Sequence, residues 1–240
     1  MFHHLPEVTI PEKEGMVIPM SKLILKNVSY SYRNSATAAV KEANCDFEPG
    51  QLYAIVGPSG SGKTTLLSIL AGLDLPTHGD VLYGEANLIS MDLDRYRRED
   101  ISMIFQAFQL FPLLTVVENV CYPMELSGMS TKAAKPRAEE YLARVGITTE
   151  EMKRFPSHLS GGQQQRVAIA RSLASGAKLI LADEPTGNLD VANTDNIMEI
   201  LESLAHDDGY CVIVVTHDLE VAEKADIIYR MKDGFLTFGS

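Results

Sequence analysis

The run Gly57-Pro58-Ser59-Gly60-Ser61-Gly62-Lys63-Thr64 matches G-x-x-x-x-G-K-[ST] at every defined position. The residue types suit phosphate chemistry. Glycines let successive backbone N–H groups turn inward around a β-phosphate without a Cβ in the way. A helix beginning near Lys63 adds the partial positive charge of its N-terminus. Lys63 is expected to reach the β- and γ-phosphates, Thr64 to ligate Mg²⁺, and Thr65 to stand beside them in the first helical turn. A flexible Gly/Ser linker would account for the glycines but not for Lys-Thr at a helix start. The run therefore marks a nucleoside triphosphate site, without saying of which kind.

Two further segments place chemistry at the ends of short apolar runs. LILA (179–182) is followed at once by Asp183-Glu184, and CVIVV (211–215) by Thr216-His217. Ligands of a parallel sheet bind beyond the carboxyl ends of its strands, so these segments and the phosphate loop are expected to converge. Asp183 suits Mg²⁺, Glu184 a base that accepts a proton from water, and His217 a hydrogen bond to the γ-phosphate. Any one such residue is more often a solvated acid or a surface histidine. Their joint placement favours a site. Ser160-Gly161-Gly162-Gln163 stands ahead of a strongly helical stretch, with Ser as N-cap and two glycines that admit a ligand to exposed N–H groups. Physically it is a second anion receptor, although an ordinary capped helix fits the spacing equally well.

The elements that must position these residues are legible in outline. Lys22–Tyr32 and Ala38–Phe47 alternate as paired strands around an Arg33–Ala36 turn, and Leu52–Val56 is a strand buried on both faces. Thr64–Leu73, Val116–Leu126, Ala138–Val145 and Asn193–Ala205 have helical patterns, with Pro123 and Pro136 expected to break or kink theirs unless near an end. Ile227–Met231 and Phe235–Phe238 read as strands about an Asp233-Gly234 turn. Apolar runs thus alternate with helices in the outer thirds, the sign of a parallel α/β sheet. A helix-rich middle, about 90–160, interrupts it. Residues 1–19, with three prolines and little periodicity, read as a disordered extension or an upstream start.

Composition narrows the class. Of 240 residues, 21 are Lys or Arg and 32 are Asp or Glu, for a net charge of −11. That balance argues against a nucleic-acid partner and against a basic patch held on anionic lipid. No run approaches the roughly 18 apolar residues that insertion into a bilayer requires. Cys45, Cys121 and Cys211 match neither a metal spacing nor a disulfide framework and read as buried, reduced thiols. His3, His4, His78, His158 and His206 read as surface residues.

Together the motifs resemble those of ATP-binding-cassette (ABC) ATPases over essentially 21–240. LSGGQQQR (159–166) resembles their signature, LILADEPTGNLD (179–190) their Walker B and D-loop, His217 their switch histidine, Gln106 in FQAFQLFP their Q-loop glutamine, and Tyr32 the aromatic that stacks on adenine. The resemblance implies a P-loop NTPase fold with a RecA-like parallel core, an N-terminal antiparallel β subdomain and an inserted helical subdomain at about 90–160. It implies ATP and Mg²⁺ as cofactors, with Thr64, Gln106 and Asp183 serving the metal. It further implies a head-to-tail homodimer around two ATP molecules, in which Ser160 and Gly162 meet the partner's γ-phosphate and Asp190 communicates across the interface. The remaining partner would be a transmembrane permease, approached from the cytoplasmic face. FQ-x-F-x-L-x-P with ADEPTGNLD is similar to the branch that includes lipoprotein-release, macrolide- and peptide-export and cell-division ATPases. Export or extraction of a peptide, lipid-linked or hydrophobic substrate is then expected, with mechanotransmission to an extracytoplasmic partner, without solute transport, as the alternative.

Overall fold

The computed structural model describes residues 21–33 and 37–239. The expected extension at 1–19 and most of the Arg33–Ala36 turn lie outside them. The chain opens with β1 (Leu23–Tyr30) and β2 (Val40–Phe47), which pair antiparallel, and continues into β3 (Gln51–Val56). Helix α1 (Lys63–Leu70) follows and stops short of the expected Leu73, because Gly72 turns left-handed there (φ 63°). Then come β4 (His78–Tyr83), β5 (Ala86–Asn87), α2 (Leu93–Glu99) and β6 (Ile101–Phe105), which the sequence pattern did not reveal as elements. Helices α3 (Val116–Leu126), α4 (Thr131–Arg144) and α5 (Gly161–Ala174) lead to β7 (Leu179–Asp183). Last are α6 (Val191–His206), β8 (Cys211–Thr216), the short α7 (Leu219–Ala222), β9 (Ile227–Lys232) and β10 (Phe235–Gly239).

The strands form a ten-stranded sheet in the order β5-β4-β1-β2-β10-β9-β3-β8-β7-β6. Its β9-β3-β8-β7-β6 portion is parallel, whereas β1, β2, β4 and β5 are antiparallel. Strand β6, although within the 90–160 stretch, is thus the edge of the parallel sheet.

The parallel strands are apolar throughout because both faces are covered. Ile180, Ala182, Val212 and Val214 face a core shared with α3 to α6. The alternating Leu179, Leu181, Ile213 and Val215 face a second core with α1 and the antiparallel strands. Each such valine, leucine or isoleucine side chain stabilises the fold by roughly 1.5–3 kcal/mol.

Pro123 and Pro136 do not divide their helices: α3 and α4 each run through one proline. The cost of about 3 kcal/mol expected for an interior proline is offset by tertiary packing. Val116, Val120 and Met124 of α3 and Ala134, Ala138 and Leu142 of α4 are buried in the first core. The three cysteines are free and buried, and burial pushes the thiols of Cys121 and Cys211 up to about 11 and about 12. No helix of the described residues is long and apolar enough to cross a membrane.

His206 is exposed, as expected, yet it is not free. Its Nε2 lies 3.0 and 2.9 Å from the two carboxylate oxygens of Asp226, and Asp226 Oδ2 accepts the Leu52 N–H at 2.7 Å. The bond to Asp226 raises the imidazole above its ordinary 6.5, helped by the charges of Glu202 and Asp207. A raised folded-state value means that the stabilisation is complete below about pH 6.5 and is lost as pH climbs through the folded value. His206→Gln should therefore flatten the fall in Tm as pH climbs above about 6.5 relative to the parent; parallel Tm–pH curves would refute this.

Candidate functional site

The site begins with register. Val56 pairs with Thr216, Val215 with Asp183, and Asp183 with Phe105, so β3 and β8 end level and β7 and β6 end level one residue earlier. The next residue after each strand is Gly57, His217, Glu184 and Gln106. Four segments separated by up to 160 residues of chain therefore open within one residue of the same level at the carboxyl edge.

On this edge the phosphate loop is tied down from below. Gly57 N–H donates to Thr216 O (3.4 Å) and Gly234 N–H to Ser61 O (3.0 Å). A Cβ on Gly57 would land on the Met231 carbonyl oxygen, and one on Gly62 (φ 108°) on that of Ala39. These two glycines are thus required by packing as well as by phosphate approach. Gly62 starts α1 without a side-chain cap, which leaves the helix N-terminus to a ligand. Lys63 is buried and its ammonium donates to Gly57 O (2.7 Å) and Pro58 O (3.0 Å). Ser61 Oγ is buried with no hydrogen-bond partner among the described residues. An orphaned hydroxyl, a buried ammonium and an uncapped helix N-terminus fit a polyphosphate.

The acids follow the same logic. Burial raises the Asp183 carboxyl above the usual range, the neighbouring Glu184 charge adds to this, and Lys63 opposes it. An acid under that pressure, at a strand end within electrostatic reach of Lys63, suits a divalent cation. Glu184 sits in the left-handed region (φ 48°), an unfavourable conformation for a non-glycine. Neighbours hold it there: its N–H donates to Val215 O (2.9 Å), Thr216 Oγ1 donates to its Oε2 (3.1 Å), and His217 Nδ1 lies 2.8 Å from Oε1. An ionised carboxylate only accepts, so Nδ1 carries the proton and Nε2 remains for another partner.

Gln106 Nε2 donates to Asn188 Oδ1 (3.2 Å) while Asn188 Nδ2 donates to Gln106 O (3.1 Å). The turn that follows is strained, with Phe108 and Gln109 at φ 59° and 52°, and Arg171 donates to both of their carbonyls (3.2 and 2.6 Å). Tyr32 lies just past β1, 51% exposed, its hydroxyl 2.9 Å from Thr65 Oγ1, whereas Tyr30 is committed to Asp74 (3.0 Å).

Ser160, Gly161, Gly162 and Gln163 belong to a second cluster. Ser160 and Gln163 form a reciprocal capping box, Ser160 N–H donating to Gln163 Oε1 (2.8 Å) and Gln163 N–H to Ser160 Oγ (3.3 Å). Gln163 also donates to Glu151, whose other oxygen holds Thr148. Asp190 caps α6, accepting from Asn193 N–H at 2.9 Å. Asn188, Asn193 and Glu151 escaped sequence reasoning, since neither their types nor their spacing marks them.

A family model for ABC transporters matches residues 40–187, well over half of the chain. The chain belongs to the ABC transporter ATP-binding family. It is 40% identical to the ABC transporter ATP-binding protein YclH of Bacillus subtilis, over 91% of this chain and 96% of that one. It is 44% identical to the macrolide export ATP-binding/permease protein MacB of a Shewanella strain, covering 82% of this chain but 31% of MacB. Among solved structures it is similar to the dimeric, post-hydrolysis ATP-binding cassette MJ0796 bound to ADP and Pi, with a TM-score of 0.82 at 40% identity over 91% and 98% of the two chains. The fold is that of the cassette, and the chain is an ABC-type ATPase with ATP and Mg²⁺ as cofactors.

The contact beneath Gly57 makes a testable demand of this ATPase. Gly57→Ala must displace the β9–β10 end or the loop itself. It should cost about 1–3 kcal/mol of stability, as overpacking does, and weaken binding of a fluorescent ATP analogue. An unchanged Tm and affinity would remove the packing role.

Proposed function

We propose that this chain is the ATPase subunit of a membrane exporter or extractor, working as a head-to-tail pair on a permease at the cytoplasmic face of the membrane. The observation that carries the catalytic part is Glu184 beside Asp183 at the end of β7, braced by Thr216 and His217 in line with the phosphate loop. Lys63, Ser61 and the loop amides would hold the phosphates, with Thr64, Gln106 and Asp183 toward Mg²⁺. Bound Mg²⁺ supplies neutralisation of charge on the phosphate oxygens. Glu184 takes the proton of the attacking water, and His217, donating as the imidazolium, directs its Nε2–H toward the γ-phosphate. Tyr32, the more exposed of its aromatic pair, stacks on adenine. Ser160, Gly162 and Asp190 act on the partner's nucleotide. The similarity to MacB supports an export role with a peptide, lipid-linked or hydrophobic substrate.

Glu184→Gln should lower steady-state ATP hydrolysis at least about 10²-fold, the scale of a lost general base, and leave ATP binding in place. Unchanged hydrolysis would sink the assignment.

For the permease contact, a groove of about 580 Å³ between β6, α3 and α5 supports a specific partner. It is lined by Phe111, Tyr122 and Leu126 together with Arg97, Arg98 and Arg171, and no carboxylate stands among the described lining residues. In a chain of net charge −11 that is a local reversal of sign. Arg97 and Arg98 pair with Asp94 and Glu99 on their own helix. Arg171, pulled below its ordinary pKa by burial, has carbonyls and the Phe111 ring (5.8 Å) but no carboxylate among the described residues. The occupant this favours is a cytoplasmic segment of the permease that carries a carboxylate beside apolar side chains. The double variant Arg98→Glu, Leu126→Asp should keep the hydrolysis of the isolated chain within about twofold, since neither side chain touches the site. It should no longer retain a multi-span membrane protein that the parent pulls from detergent-solubilised membranes. Retention equal to the parent's would exclude the groove as the seat.

A further inference from the structure

Both glycines of the Ser160–Gln163 segment are covered by residues that follow Glu184 in the same chain. A Cβ on Gly161 would meet Leu189 Cδ2 at 3.4 Å, and one on Gly162 would fall on the Asn193 carboxamide. Gly162 is buried, so its α-carbon is the floor on which Asn193 rests. The carboxamide is not free to swing away. Its Nδ2 donates to both oxygens of Asp190 (2.9 and 3.0 Å), and the Asn193 N–H donates to one of them (2.9 Å). One turn further along each helix a second contact repeats the pairing: Arg166 Nη1 donates to Asn196 Oδ1 at 3.2 Å. The first turns of α5 and α6 are therefore joined in register, with Asn193 bonded to Asp190 on one side and packed against Gly162 on the other.

We infer that Asn193 is a positioning residue: it locks Asp190 to the Gly161–Gly162 turn, so that the two segments presented to a partner subunit's nucleotide move as one rigid unit. The inference rests on the ATPase reading above for what the unit does, but the lock itself is a property of the single chain. Three arguments support it. Asparagine is an indifferent residue for the interior of a helix and favours local hydrogen bonding, so its place at the third position of α6 is explained by the bonds to Asp190. Its carboxamide oxygen lies where any residue larger than glycine at 162 would put its Cβ, so the pair is mutually exclusive with bulk on either side. The capping box of α5 leaves the Gly161 and Gly162 amides outside its reciprocal bonds, so the turn is held there by what packs on it.

The lock can be tested on the nucleotide-free chain by hydrogen exchange. The amides of Gln163 and Gln164, bonded to Ser160, and those of Asn193 and Thr194, bonded to Asp190, report on the two sides. Asn193→Ala should speed exchange at both sets together. Faster exchange confined to Asn193 and Thr194, with Gln163 and Gln164 as in the parent, overturns the inference and leaves the ATPase assignment standing.

Turnover gives the second readout. Asn193→Ala should lower kcat by about tenfold with KM and binding of an ATP analogue to the monomer within about twofold, the split expected of a residue that acts beyond ground-state binding. Asn193→Asp sets a carboxylate against Asp190, and two acids in contact raise one pKa. Its activity relative to the parent should recover as pH falls, because a protonated carboxyl again donates to Asp190. A mere packing defect would lower Tm, affinity and turnover together in both variants and leave the Asn193→Asp ratio flat with pH, which would also overturn the inference. If Glu184→Gln instead hydrolyses ATP normally, the ATPase roles fall while the exchange result stands by itself.

Discussion

The structure depends first on parallel register. Because β3, β8, β7 and β6 pair residue for residue and end within one residue of each other, the phosphate loop, the Asp183-Glu184 pair, His217 and Gln106 open at one edge. A slip of one residue in any strand would turn its whole side-chain set to the opposite face. It would also carry the following site residue about 3.3 Å out of line. The two cores oppose that slip: alternate residues of β7 and β8 fill opposite close-packed layers, so a shift would have to repack both at once.

Upon that edge the protein holds unfavourable local states by surrounding them. Glu184 at positive φ is fixed by Val215, Thr216 and His217, and the Phe108-Gln109 turn by the Arg171 guanidinium. Each such backbone conformation costs on the order of 1–3 kcal/mol and persists only when its neighbours over-determine it. Both lie within four residues of a strand end, where the chain must leave the sheet sharply to present a side chain. The same arrangement joins regions: Arg171 lines the groove beside α3 and also holds the turn that follows Gln106, so whatever fills the groove abuts a support of the nucleotide edge.

Net charge takes on a different meaning in three dimensions. A chain of −11 offers little attraction to polyphosphate or to an anionic membrane. Two places gather positive charge against that balance: Lys63 with the α1 N-terminus, and the arginine-lined groove. Both are partly shielded by low-dielectric surroundings, where one charge acts more strongly than on an open surface.

The local chemistry was legible in the sequence because it is local. The Gly57–Thr64 loop, the cap at Ser160 and the acids following LILA each depend on a few consecutive residues whose backbone preferences are their own. The alternating apolar runs were enough for a parallel α/β sheet, and the motif order for the family. Three matters were left to the tertiary structure. The first was that β6 belongs to the sheet: ISMIF carries no clear alternation, and its partner β7 is over seventy residues away. The second was that Pro123 and Pro136 leave α3 and α4 whole, since propensity counts only the helix, whereas packing against α5 supplies the compensation. The third was the set of side chains that hold the site from behind, Asn188, Asn193, Glu151 and Arg171. Their residue types are ordinary and their partners lie elsewhere in the chain, so only the packing of helix on helix determines what each one touches.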